Sequence, residues 1–363
     1  MKRYTVDRAA LAENARLIQE AAAPAKVWAV VKGDGYGLGI GPVAKVLREA
    51  GIRRFAVTEP VEAEALRRDG TEEERILMLR ATSDPEELRR LIALNVIVTI
   101  SSEADYLAVS RAAAEQGTVA EAHIKLDTGM GRYGFLPDEL EKVIPIYRDL
   151  ERVAVTGIYT HFACAFCDEK KTRAQYEMFM NEVRFLKDAG CSVGEVHCAN
   201  SAALVRYPEM KCDSVRVGSA FLGRLSVPDS LGLRRIGECE ATVEELRRLP
   251  KGWSVGYGAG FVTRRATTIA VLGVGYYHGF SVERGRDLFR FSDIARGIAS
   301  LIKALITRKK LYVTFGHRRC PVLGHVGMLH TVVDVTGLDV KAGDTAILNV
   351  NPLDRKGIPV TFL

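Results

Sequence analysis

Eight short apolar runs recur along the first 220 residues: Val27–Val31, Phe55–Thr58, Ile76–Leu79, Val96–Ile100, Ala122–Leu126, Val155–Thr160, Glu195–Cys198 and Ser214–Val217. Segments with helical spacing lie between them, among them Pro42–Ala50, Pro60–Arg68 and Arg173–Ala189. Strand alternating with helix eight times predicts an α/β chain with a closed N-terminal (β/α)8 barrel, whose functional loops sit at the C-terminal strand ends. Chemically loaded residues stand at those ends. Lys32 follows the first run, Arg132 trails the fifth and His161 closes the sixth. Asn200 and Ser201 follow the seventh, and Arg216, Gly218 and Ser219 lie in and after the eighth.

The 363 residues suffice for a barrel and a second unit. Past Pro228 helical spacing fades and β-type runs take over: Thr268–Val274, Lys310–Thr314, Pro321–Val326, Thr331–Val335 and Thr345–Val350. The expected division is a barrel over 1–228 and a mainly β domain over 229–363. A helical insertion near 280–309, amphipathic over Ile294–Ile306, interrupts the second domain. It carries Arg284, Arg286, Arg290, Arg296, Lys303 and Arg308 and reads as a surface elaboration, a lid or a partner-binding segment. At the start of the chain, Asp7 is placed to cap a first helix.

The net charge of +6 gives no strong sign of a nucleic-acid partner. Seven cysteines without a spaced framework suit a reducing compartment, and no signal-peptide h-region follows Met1. The most apolar stretch, Ile294–Ile306, is interrupted by Arg296 and Lys303, so no membrane partner and a cytoplasmic location are expected. His161, Cys164 and Cys167 offer only three zinc ligands; they read as core thiols beside a working histidine, with no metal.

Lys32 stands between a buried strand and the glycine-rich turn Gly33-Asp-Gly-Tyr-Gly-Leu-Gly39. Desolvation at such a place lowers an ammonium's pKa and makes the amine a nucleophile toward carbonyls. The segment resembles the pyridoxal phosphate attachment site of alanine racemases, with glycines at 33 and 35 where the family has alanines and Leu38 where it has histidine. The resemblance continues in His123-Ile-Lys-Leu-Asp-Thr-Gly-Met-Gly-Arg-Tyr-Gly134, Thr160-His-Phe-Ala163, His197-Cys-Ala-Asn-Ser-Ala-Ala203 and Val215-Arg-Val-Gly218.

This resemblance implies pyridoxal 5'-phosphate held covalently by Lys32. Tyr36, Asn200, Ser201, Gly218 and Ser219 would stand around its phosphate, Arg132 at the ring 3′-oxygen and His161 near the ring. Lys125 would be the lysine that is often carbamylated to hold Arg132. Arg216 would face the pyridine nitrogen. An arginine cannot take that nitrogen's proton, which disfavours transamination and suits a racemase.

In the second domain, Trp253-Ser-Val-Gly-Tyr-Gly258 is similar to the family turn that carries a second catalytic base, Tyr257. Racemisation needs acid/base groups on opposite faces of a planar carbon, here Lys32 and Tyr257. A hydrogen-bond chain through His161 to Arg216 would assist the tyrosine. The family places this tyrosine in the opposite subunit's site, implying a head-to-tail homodimer. Val274-Gly-Tyr-Tyr-His-Gly279 would put Tyr276 beside the substrate, with His278 in place of an acid. In Gly324-His-Val-Gly-Met-Leu-His330, Met328 would offer an amide to the substrate carboxylate, while His325 and Leu329 depart from the family's arginine and aspartate. The family's distal tyrosine, which narrows the pocket, has no clear match. The implied activity is interconversion of L- and D-alanine. A racemase for serine or a broader set of amino acids, and a non-catalytic pyridoxal phosphate-binding regulator, are the alternatives; Tyr257 and the β domain favour the enzyme.

Overall fold

Parallel strands covered on both faces are apolar almost throughout; most of the eight runs follow this, while Glu195-Val-His-Cys198 and Ser214-Val-Arg-Val217 alternate apolar with polar residues. The computed structural model describes residues 1–71, 73–283, 291–307 and 310–363. After β1 (Lys2–Val6) come β2 (Lys26–Val30), β3 (Arg54–Val57), β4 (Arg75–Ala81), β5 (Val96–Ile100), β6 (Ala120–Lys125), β7 (Val153–Tyr159), β8 (Glu195–Asn200) and β9 (Ser214–Val217). Strands β2 to β9 form a closed barrel, and every one coincides with a predicted run. Closure is made by β2 on β9, with Trp28 beside Arg216 and Ala29 beside Val217. Trp28, Val30, Ala56, Leu77 and Ile97 pack together in its core. Asp7 caps the helix Arg8–Ala22 as expected, its Oδ1 accepting from the Ala10 amide at 2.8 Å.

Two units divide the chain. One is Asp7–Ile236; the other joins Met1–Val6 to Gly237–Leu363. The second holds β10 (Gly237–Leu249), β11 (Ser254–Val255), β12 (Phe261–Val262), β13 (Thr267–Leu272), β14 (Tyr312–Phe315), β15 (Arg318–Pro321), β16 (Thr331–Asp334), β17 (Thr345–Leu348) and β18 (Val360–Phe362). Its main sheet runs β15-β14-β17-β10-β1-β18, with β13 between β10 and β16.

Three features depart from the sequence reading. The first strand, grouped above with residues 1–228, belongs to the second unit, because Lys2–Val6 pairs with Gly237–Ala241 and Tyr4–Val6 with Val360–Phe362. The division falls after Ile236 rather than after residue 228. The strand expected over Pro321–Val326 lies earlier, at Arg318–Pro321, paired antiparallel with β14.

The expected helical insertion is present as the helix Phe291–Thr307. Arg284, Arg286, Arg290 and Arg308 lie outside the described residues. Among the described residues no helix is long and apolar enough to cross a membrane.

Candidate active site

A cavity of about 380 Å³ opens at the C-terminal ends of the barrel strands, and the sequence explains how its wall is built. After β2 the chain enters a left-handed helical turn, with φ of 64°, 52°, 63° and 57° at Gly33, Asp34, Gly35 and Tyr36. Side chains are disfavoured in this conformation, so glycine at two of the four positions makes the turn accessible. Glu62, which the sequence reading missed, pins the turn. Its Oε1 accepts from the Gly33 and Asp34 amides at 2.5 and 3.2 Å, and its Oε2 from the Thr58 and Glu59 amides at 2.9 and 3.1 Å. The sequence signal was Glu59-Pro60-Val61-Glu62, a helix start with its reciprocal cap.

Lys32 faces the cavity, with its pKa lowered by partial burial and by Arg132. Arg132 rides on the loop after β6, which Asp127 shapes. The Asp127 carboxylate accepts from the amides of Gly129, Met130, Gly131 and Arg132 at 2.7–3.2 Å. Burial alone would raise its pKa, but these amides hold it below the usual value. Lys125 is buried at the end of β6, and desolvation, Arg132 and Arg216 push its pKa down to about 8.

At the opposite edge, Asn200 caps the short helix Ser201–Arg206, its Oδ1 accepting from the Ala202 and Ala203 amides. The Gly218 amide donates to Ser201 Oγ at 3.2 Å, and a Cβ at position 218 would overlap the Tyr36 hydroxyl. Tyr36, Ser201, Gly218 and Ser219 therefore make one edge rich in hydroxyls and amides, suited to an anion. Burial raises the Tyr36 pKa to about 12, so the phenol keeps its proton for donation.

Arg216 lies buried at the cavity floor. Its guanidinium donates to the carbonyls of Thr160, His197 and Cys198 at 2.6, 3.0 and 3.2 Å, and to His197 Nδ1 at 2.8 Å. His161 Nδ1 stands 3.4 Å from Nη2, the link expected from the resemblance. Among the described residues the partners of Arg216 are carbonyls and imidazoles rather than a carboxylate; Asp213 accepts instead from the Val196 amide at 2.8 Å. Burial, then Arg216, Lys125, Arg132 and Lys32, drive the His161 pKa well below its ordinary value, so this ring is neutral.

All nine barrel residues expected at the site line this one cavity: Lys32, Tyr36, Arg132, His161, Asn200, Ser201, Arg216, Gly218 and Ser219. Tyr257, Tyr276 and Met328 belong to the other unit. Tyr257 starts a tight turn and is 83% exposed. The Tyr276 and Tyr277 amides donate to the Gly327 and Met328 carbonyls at 3.0 Å, tying Tyr276 to the Met328 loop.

The fold and the lysine-bearing, anion-accepting cavity together define the architecture known as fold type III, a barrel followed by a β domain. Residues 6–226 match the family model for the alanine racemase N-terminal domain, and residues 236–361 that for its C-terminal domain. The chain belongs to the alanine racemase family. It is 32% identical over 346 residues to an alanine racemase of Methylacidiphilum infernorum, covering 94% of this chain and 82% of that one. With an alanine racemase of Clostridium tetani it shares 32% over 364 residues, covering 98% and 87%. A crystal structure of alanine racemase from Bartonella henselae with covalently bound pyridoxal phosphate superposes with a TM-score of 0.81 at 25% identity, covering 100% of this chain and 99% of that one.

Proposed function

We propose that this protein is a pyridoxal phosphate-dependent racemase that interconverts L- and D-alanine, with Lys32 and Tyr257 as its two bases. The observation that carries the reading is the meeting of nine residues from five separate segments in one cavity at the barrel mouth. The residues present fit the cofactor. Lys32 has the lowered pKa that attack on a carbonyl requires, and position 218 has room only for glycine against Tyr36. Lys32 would hold the cofactor covalently; Tyr36, Ser201 and the amides of Gly218 and Ser219 would hold its phosphate, with Asn200 fixing their helix. Arg132 would hold the 3′-oxygen and Arg216 would face the ring nitrogen.

Bound there, the cofactor supplies an electron-withdrawing ring that acidifies the substrate α-hydrogen. The Nζ of Lys32 and the Oη of Tyr257 serve opposite faces of the α-carbon. One takes the hydrogen as a proton and the other returns a proton, so composition is unchanged and configuration inverts. The reverse reaction exchanges the two roles. Neutral His161, bonded to Arg216, orients the tyrosine, while Tyr276 and Met328 receive the substrate. The exposure of Tyr257 supports its use by the partner subunit of a homodimer. Seven cysteines, none in a disulfide, fit a cytoplasmic enzyme.

The test is racemisation by the full-length protein supplied with the cofactor. L- and D-alanine are expected to interconvert, faster than serine, and Lys32→Ala should abolish both activity and the visible absorption of the bound cofactor. Cofactor binding without racemisation of any small amino acid would contradict the reading and favour a regulatory binder.

A further inference from the structure

The helix Phe291–Thr307 takes no part in the cavity. Its 17 residues span about 25 Å at 1.5 Å per residue. Phe291, Ile294, Ile298, Leu301 and Leu305 recur in alternating steps of three and four, and Ile302 and Ile306 widen the stripe. On a helix these side chains share one face, about 140° wide. A core helix hides such a face, yet here all seven are exposed, Phe291 at 85% and Leu305 at 80%. The covered side is another, where Gly297 is buried and Ala304 half-buried.

Charge is concentrated in the same stretch. From 284 to 310 the sequence carries eight Arg and Lys against two Asp, an excess equal to the +6 of the whole chain. The remaining sequence is therefore electrically balanced. Arg296 and Lys303, seven residues apart, lie in line along the helix beyond one edge of the apolar stripe.

An exposed apolar face of this size marks a surface that something covers. A second copy of the segment would bring two equal positive excesses together, which opposes association. A nucleic acid would meet the charge and leave the stripe in water. An anionic lipid surface meets both, taking apolar side chains at the acyl boundary and basic ones at the phosphates. We propose that the Phe291–Thr307 helix docks the protein on anionic phospholipid bilayers, lying in the plane of the interface. The expectation of no membrane partner rested on the lack of a spanning segment, and an interfacial helix needs none. The proposal is independent of the racemase reading.

Flotation of the full-length protein with vesicles of phosphatidylcholine, with and without phosphatidylglycerol, tests it. Binding is expected only with phosphatidylglycerol and should weaken as salt rises. Ile298→Glu with Leu305→Glu should lower the vesicle affinity about tenfold or more with an unchanged melting curve. Arg296→Gln and Lys303→Gln should each lower it about fivefold at low salt. Leu301→Trp should shift its emission to the blue on anionic vesicles alone, which decides the matter if the double variant fails to fold. Failure to bind phosphatidylglycerol vesicles, or binding that survives the double substitution, overturns the proposal. Self-association that the double substitution removes, without vesicle binding, also overturns it and assigns the face to a second copy.

Discussion

Because an arginine side chain carries N–H donors and no acceptor, each contact of Arg216 fixes a proton elsewhere. His197 Nδ1 must accept from Arg216, so the ring's proton sits on Nε2, which faces His123 Nδ1 at 3.0 Å. The His123 proton then lies on its own Nε2, buried in the barrel and, among the described residues, without a partner. Both rings are neutral: burial, then Arg216, holds His197 well below its ordinary pKa, and burial holds His123 down to about 3 against the opposing charge of Glu195. Two neutral imidazoles and the buried Arg216 guanidinium thus lie side by side in the barrel. Arg216→Glu replaces that cation with an acid able to share a proton with the ring nitrogen. Racemisation should fall on the order of 10²-fold, and pyruvate should appear from alanine by transamination. Unchanged racemisation without pyruvate would remove Arg216 from the ring nitrogen. Glu62 acts at the same scale on Lys32. Glu62→Ala leaves four amide donors without their acceptor, so denaturant unfolding should show a loss of about 2–3 kcal/mol and cofactor absorption should fall. A variant as stable as wild type would contradict the clamp.

The helix Glu169–Asp188 braces two site loops. Its Gln175 accepts from the Ala163 amide at 2.9 Å and donates to Thr128 Oγ1 at 3.3 Å. Two turns further on, both carboxylate oxygens of Glu182 are buried and, among the described residues, without a partner. Burial and Asp127 push its pKa up to about 7 from 4.5. Between those values the folded protein holds a proton that the unfolded chain has released, so stability falls as pH rises through the window. Glu182→Gln should therefore melt higher than wild type at pH 8, by on the order of 2 kcal/mol, with the difference fading toward pH 4.5. Parallel melting curves across that range would show that Glu182 is not desolvated. The elements themselves differ in how far sequence exposes them. Most barrel strands were legible because burial on both faces makes them continuous apolar runs, whereas β8 and β9 carry Glu195, His197, Ser214 and Arg216. Strand β10 was not: Cys239, Ala241 and Val243 alternate inward between Glu238, Glu240, Thr242 and Glu244, and Glu244–Leu249 has the composition of a helix. Its pairing with β1, β13 and β17 overrides that propensity. Nor do Lys2 and Arg3 look like the start of a strand until Gly237–Ala241 lies beside them.

At the scale of the whole molecule, the barrel mouth was readable because its chemistry sits just past the strands that position it. Glu62 was missed because it acts through backbone amides and belongs to no motif of reactive residues. Tyr257 is proposed from its turn, on a unit whose main sheet includes β1 and β18. In the proposed racemase two bases from two chains act on one α-carbon. If so, Lys32→Ala and Tyr257→Phe are each nearly inactive, the latter by about 10²–10⁴-fold with its cofactor retained. Mixing the two inactive proteins under conditions of subunit exchange is the most direct test. Half of randomly reassorted dimers are mixed, and each mixed dimer has one intact site of two, so activity should return to about a quarter of wild type. Demonstrated exchange with no recovery would place Tyr257 in its own subunit's site or outside the reaction.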